Sequence, residues 1–412
     1  MTARAPRTGS LGAALAHAAF TRFLIARFCG SFAVQMQTVA VGAQVYDLTH
    51  RPLDLGLIGL SQFVPFLLFV LIAGQAADRF SRKRIVLACF ALLLGCALAL
   101  VLLTAAGLRS AWPVFAVMVA FGVARAAMAP ASSALMPNLV PRPLFSAAVG
   151  INSGLWQVAT IAGPAIGGVI YAHSGPGAVY GVVTVLLAVA VVATLSMTAP
   201  AQPPPAEPAS WRTLADGLRF VWRRHSILGS ISLDLFAVLF GGATALMPAY
   251  AADVLGVGVD GLGWLRAAPG IGAAVMAAYL TLSPISRHAG RAMFAGVYVF
   301  GVATIAFALS RSFALSLVVL GILGAADMVS VFVRHLLLQL QTPDEMRGRV
   351  GAVSSMCIGA SNELGEFESG LTAAWWGLVP SVVVGGIATI AVAWFWTRRF
   401  PELRAVDRFP SA

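Results

Sequence analysis

A bilayer core about 30 Å thick takes about 20 mostly apolar residues of α-helix to cross, and this chain repeats that length from one end to the other. The ruler gives twelve candidate spans: 20–48, 53–77, 84–107, 112–137, 146–172, 177–198, 226–252, 261–285, 291–310, 312–340, 350–373 and 378–397. With 59% hydrophobic and only 10% charged residues among 412, no water-soluble domain could bury the apolar surface. The class is therefore a polytopic, all-α membrane protein.

Between the sixth and seventh spans lies "APAQPPPAEPAS", too rich in proline to continue a helix. Three regions follow: 1–199 as a six-helix bundle, 200–225 as a cytoplasmic linker, and 226–412 as a second six-helix bundle. Within the linker, Trp211, Leu214, Leu218, Val221 and Trp222 recur at helical spacing opposite Arg212, Arg219 and Arg223. That pattern suits a helix lying on anionic membrane lipid; a solvated linker helix is the other reading. The bundles echo each other weakly, "LGLIGLS" (55–61) with "LGWLRAA" (262–268) and Val149-Gly150 with Val350-Gly351. Six plus six spans of the same polarity make a parallel pseudo-repeat, an arrangement secondary transporters use to build a central site between two rocking halves.

The net charge of +11 raises the question of nucleic acid, but the bases are scattered through short connections rather than gathered on a soluble module. They report orientation. With the N-terminus inside, the inner loops hold Arg79, Arg82, Lys83, Arg84, Arg142, Arg212, Arg219, Arg223, Arg224, Arg287, Arg347 and Arg349, against Arg51, Arg109 and Arg311 outside. Both termini are thus expected in the cytoplasm. The basic N-terminal segment lacks a convincing cleavage site and is expected to be retained.

Other classes are disfavoured. Lys83, the sole lysine, follows Arg82, so no phosphate-binding G-x-x-x-x-G-K-[ST] loop exists to support a transport ATPase. The six histidines lie too far apart for a hydrolytic cluster. Cys29, Cys89, Cys96 and Cys357 fall in apolar spans, where a thiol packs as a small hydrophobe. Neither metal nor organic cofactor is expected.

The stretch "GQAADRFSRKR" (74–84) sets an acid and four bases between two apolar spans, behind the small residues Gly74, Ala76 and Ala77 that allow close helix approach. Gly74, Asp78, Arg79, Arg82 and Lys83 resemble the loop signature of the major facilitator superfamily, with Ser81 where the signature has glycine. The resemblance implies a latch that holds the cytoplasmic ends of the two halves in one conformation. A plausible electrostatic partner for Asp78 is the inner start of the eleventh span, where "TPDEMRGR" reads as Thr342 cap, Pro343 in the first turn and Glu345 three beyond the cap. Asp78→Asn is expected to abolish transport while leaving membrane insertion normal. A wild-type transport rate in that variant would refute the latch.

In "ATIAGPAIGG" (159–168), Pro164 removes a helix hydrogen bond and bends the fifth span, while Gly163, Gly167 and Gly168 leave room for a neighbour at the bend. The stretch also resembles the fifth-span motif that the superfamily associates with exporters, with Ala159 in place of the first glycine. Residues 124–141 and 338–350 resemble the branch that contains the enterobactin exporter and related efflux proteins.

Asp234, Asp327, Glu363, Glu366 and Glu368 fall inside spans seven, ten and eleven, and Arg125 near the middle of span four. Ionised groups at that depth cost about 3 kcal/mol each or more, so they should face a cavity or one another. Glu363 and Glu366 share a helix face, and Asp234, Asp327, Glu363 and Glu366 are candidates to carry protons. An ion-paired scaffold, with Arg266 or Arg334 neutralising two of the acids, is the alternative. Arg125 resembles the fourth-span arginine of drug/proton antiporters, which implies binding of an anionic substrate or steering of proton release. Gln35, Gln37, Gln62, Asn152, Trp156 and Gln157 line the same cavity on this reading, or serve as polar glue between helices. The expected protein is a monomeric, proton-coupled exporter of a siderophore or drug-like molecule in the bacterial inner membrane. Its expected partners are that small molecule, protons and lipids. An importer of the same fold and a non-transporting sensor are the alternatives.

Overall fold

The computed structural model describes residues 11–198, 211–283, 285 and 287–407, without the side chains of 11, 70–79, 142, 211–214, 344, 345, 347, 348 and 352. Among the described residues every regular element is helical, as lipid requires of a chain that does not close a barrel, because each backbone N–H and C=O must find its partner inside the segment. The principal helices are α1 (Ala18–Thr49), α2 (Pro52–Arg79), α3 (Arg82–Ala105), α4 (Trp112–Leu135), α5 (Phe145–Ser196), α6 (Trp211–Arg223), α7 (His225–Phe240), α8 (Gly258–Leu282), α9 (Ala289–Leu309), α10 (Phe313–Gln341), α11 (Asp344–Trp376) and α12 (Leu378–Arg399).

Nine stretches of described helix are long and apolar enough to cross a membrane. Helix α5, at 52 residues, is broken at Gly175, whose φ of 76° is open to glycine and strained for other residues, and Pro176 follows. It thereby supplies both the fifth and sixth expected spans. Helix α7 is a shorter apolar helix in the seventh place, and α11, with its charges, occupies the eleventh.

The seventh span departs from the expected single run over 226–252. Helix α7 stops at Phe240, and short turns at Met247–Ala249 and Tyr250–Val254 complete the segment. The chain there passes close to α11: a Cβ at Gly242 would lie 3.0 Å from the Gly365 carbonyl oxygen. The freed Gly242 carbonyl accepts a hydrogen bond from Ser369 Oγ at 3.2 Å. The start of α11 also differs. Thr342 takes an extended conformation that closes α10, Pro343 occupies the N-cap, and the Thr342 hydroxyl is buried without a partner. Pro343 cannot continue α10, so α11 starts one residue later than the expected cap would place it.

The chain forms two compact units, Met1–Val41 with Val64–Ala209, and Gly42–Phe63 with Ser210–Ala412. In the first, α3 packs against α4 and α5. The bend in α5 rests on α1: a Cβ at Gly163 would lie 2.7 Å from Gln35 Cβ, and one at Gly167 would lie 3.1 Å from Met36 Cα. Arg82 Nη1 donates to the Ala134 carbonyl at 2.8 Å and Lys83 Nζ to the Leu195 carbonyl at 2.9 Å. Both bases thus sit on the C-terminal carbonyls of helices, where the helix dipole favours a cation.

In the second unit α10 packs against α8 and α9, and α9 against α12. A core of Leu233, Met293, Phe294, Val333, Leu337, Ala393 and Leu403 joins α7, α9, α10 and α12 to the short C-terminal turn Pro401–Arg404. The linker helix α6 docks on α11: a Cβ at Gly217 would meet the Arg349 carbonyl at 2.9 Å, and Val221 is buried with Ile227, Ile231, Val350 and Val353. Leu218 and Trp222 stay exposed beside Arg219 and Arg223.

Candidate functional site

Charges inside the spans concentrate in the second unit. Beyond His225 at its start, helix α7 is apolar except for its serines and Asp234, and Asp234 is 6% exposed. Its carboxylate pairs with the Arg334 guanidinium on α10, itself 3% exposed. Two charges that would each be costly in lipid thus neutralise one another. On α10, Asp327, Ser330 and Arg334 are spaced three and four apart and share one face. Asp234, Asp327 and Ser330 line a cavity of about 10 Å³, closed otherwise by Ala237, Val238, Gly296, Val297, Phe300 and Ala326. That is room for one water-sized occupant.

A second group lies on α8 and α11. Arg266 is in electrostatic range of Glu366. A Cβ at Gly42 would lie 3.7 Å from Arg266 Nη2, and one at Gly59 would lie 2.9 Å from Glu366 Oε2, so the segment Gly42–Phe63 is packed directly on these charges. Glu363, one turn earlier on α11, and Glu366 are both partly buried. The same segment is tied to the turn Tyr250–Val254 by a hydrogen bond from the Tyr46 hydroxyl to Asp253. Gln62, 9% exposed, donates to the Ile58 carbonyl at 3.4 Å.

In the first unit Gln35 sits in the bend of α5, while Gln37 is 2% exposed with Nε2 unpartnered. Arg125 on α4 is exposed, Trp156 on α5 is 52% exposed, and Asn152 and Gln157 are partly buried. Of the signature loop, Gly74, Asp78 and Arg79 fall in α2, but their side chains lie outside the described residues.

The structure thus brings Asp234, Asp327 and Ser330 to one cavity, with Arg334 paired to Asp234, and Arg266 and Glu366 to another place. Ser330 was not singled out in the sequence, although its position one turn from both Asp327 and Arg334 was a usable signal. Tyr46 and Asp253, 207 residues apart, gave no local sign of their bond.

Comparison with known proteins gives a consistent answer. The chain is 28% identical over 351 residues to the enterobactin exporter EntS of Escherichia coli O1:K1 / APEC, covering 82% of this chain and 81% of that one. EntS of E. coli O139:H28 (strain E24377A / ETEC) is 28% identical over 353 residues with the same coverage. In fold it resembles a bacterial homologue of the human lysosomal transporter Spinster, with a TM-score of 0.72 at 14% identity over 96% of this chain and 98% of that one. The nucleoside transporter NupG gives 0.69 at 14% identity over 93% and 99%. The family profile described as Major Facilitator Superfamily matches residues 23–366, and the chain belongs to that family of membrane transporters.

Proposed function

We propose that the protein exports a small organic molecule of the siderophore type across the bacterial inner membrane, exchanging it for protons by alternating access, with both termini in the cytoplasm. The observation that carries this reading is the set of charges inside the second unit: a buried Asp234–Arg334 pair with a second carboxylate, Asp327, on the same small cavity. Carboxylates kept at membrane depth are costly and mark ion or substrate paths. The likeness to EntS supports export and a siderophore substrate. So does the bend around Gly163, Pro164, Gly167 and Gly168, set against α1.

Everted membrane vesicles with an acid interior test the proposal, with enterobactin as probe. Enterobactin should accumulate inside, and a protonophore should abolish the accumulation. Movement of enterobactin out of the vesicles together with protons would overturn export in favour of import, and no gradient-dependent movement at all would overturn the siderophore assignment.

A further inference from the structure

We infer that Asp327, with Ser330, forms the exchangeable proton site of this transporter, and that the Asp234–Arg334 pair beside it is a fixed counter-charge and not a proton carrier. The inference rests on the proposed proton-coupled function and narrows it to one of four candidate acids. Asp234 is already neutralised by Arg334, Glu366 faces Arg266, and Glu363 has a polar or electrostatic partner of its own. Asp327 forms no ion pair or hydrogen bond among the described residues, yet it lies fourteen positions into the membrane-crossing helix α10. Ser330, 3% exposed, lines the same cavity, and its hydroxyl has no partner. An unpaired carboxylate at that depth is relieved by taking up a proton or binding a cation.

The cavity selects between those two. Hard metal cations need several oxygen ligands, and beyond Asp234, Asp327 and Ser330 the lining side chains are those of Ala237, Val238, Val297, Phe300 and Ala326. A proton on Asp327, hydrogen-bonded to Ser330 or to one water, fits the space of about 10 Å³. Among described side chains, the charged groups and histidines on the helices packed around α10 are His225 and Asp234 on α7, Asp260 and Arg266 on α8, Arg291 on α9, and Arg349, Glu363, Glu366 and Glu368 on α11; α10 itself adds Arg334 and His335. Of these, Asp234 alone shares the cavity with Asp327. Arg334 Nε carries no hydrogen bond.

Infrared difference spectra of the full-length protein in lipid vesicles, alkaline minus acid, test this without a substrate. The wild type should lose the carbonyl band of a protonated carboxylic acid. Asp327→Asn should lack that band, Asp234→Asn should keep it, and Asp327→Glu should restore it at a shifted frequency. Ser330→Ala, a mild change that guards against misfolding of the others, should shift the band and its titration midpoint. A band that survives in Asp327→Asn, or a midpoint that moves when sodium replaces choline, overturns the inference. Failure of wild-type vesicles to couple enterobactin to protons would sink the functional reading alone, because the spectra stand without it.

Discussion

Replacing Arg334 with leucine is expected to lower the stability of the folded protein by about 3–5 kcal/mol, the cost of leaving one member of a buried ion pair unmatched. The pair is closed on all sides: the side chains of Arg334 and Asp234 are 3% and 7% exposed, next to a core that includes Leu233, Ala237, Val333 and Leu337. Without the guanidinium, the Asp234 carboxylate has no cation beside it, and the cavity it lines has room for no more than one water. The double variant Asp234→Leu/Arg334→Leu should recover most of the loss, because a well-packed apolar pair often replaces a buried ion pair at little cost. Thermal unfolding in detergent, followed through labelling of the buried thiols Cys89 and Cys96 and through near-ultraviolet circular dichroism, reads both. If Arg334→Leu unfolds with the wild type, the pair holds nothing together and Asp234 returns as a proton carrier.

The identity of that partner was legible in part. An arginine at position 334, seven residues after Asp327 on one helix, is a visible counter-charge, and so is Arg266 for the acids of α11. The bend at Pro164 was legible for the same reason, since proline and glycine act locally and state their effect in the sequence. The exposed and buried faces of the spans were not. Helix α3 is apolar all round: Leu100 is 1% exposed and Leu102 is 68% exposed, and nothing in the residue type separates them. Lipid is as apolar as a protein core, so the periodicity that marks a soluble helix has no reason to appear. The break in the seventh span had Gly241-Gly242 as its only local sign, and the contact made there, with Gly365 on α11, lies over 120 residues away in the chain. The grouping of Gly42–Phe63 with the second unit rests on backbone approaches of the same kind, such as Gly56 against Gly370.

Those approaches set the last large effect. Pro269 and Gly272 on α8 meet Gly321 and Gly324 on α10 backbone to backbone. A Cβ at Gly324 would overlap the Pro269 carbonyl, and one at Gly272 would overlap the Gly321 carbonyl. A clashing side chain can rotate away, but a carbonyl held in a helix cannot, so α8 and α10 must part by about 1 Å or more, and close packing then fails along the seam. Gly324→Ala is therefore expected at or above the upper end of the usual cost of overpacking, about 3 kcal/mol, and Gly272→Ala the same. Because either change separates the helices, the double variant should cost clearly less than the two singles combined. Gly95→Ala on α3 is the control: its Cβ would meet nothing within 4 Å, so removing glycine's conformational freedom should leave stability unchanged or raised by about 0.5–1 kcal/mol. Transport should fall with stability in the α8 and α10 variants, since α10 carries Asp327, Ser330 and Arg334 and its position against α8 fixes theirs. Full stability and full transport in Gly324→Ala would mean that the two backbones do not meet there, and the cavity beside Asp327 would lose its frame.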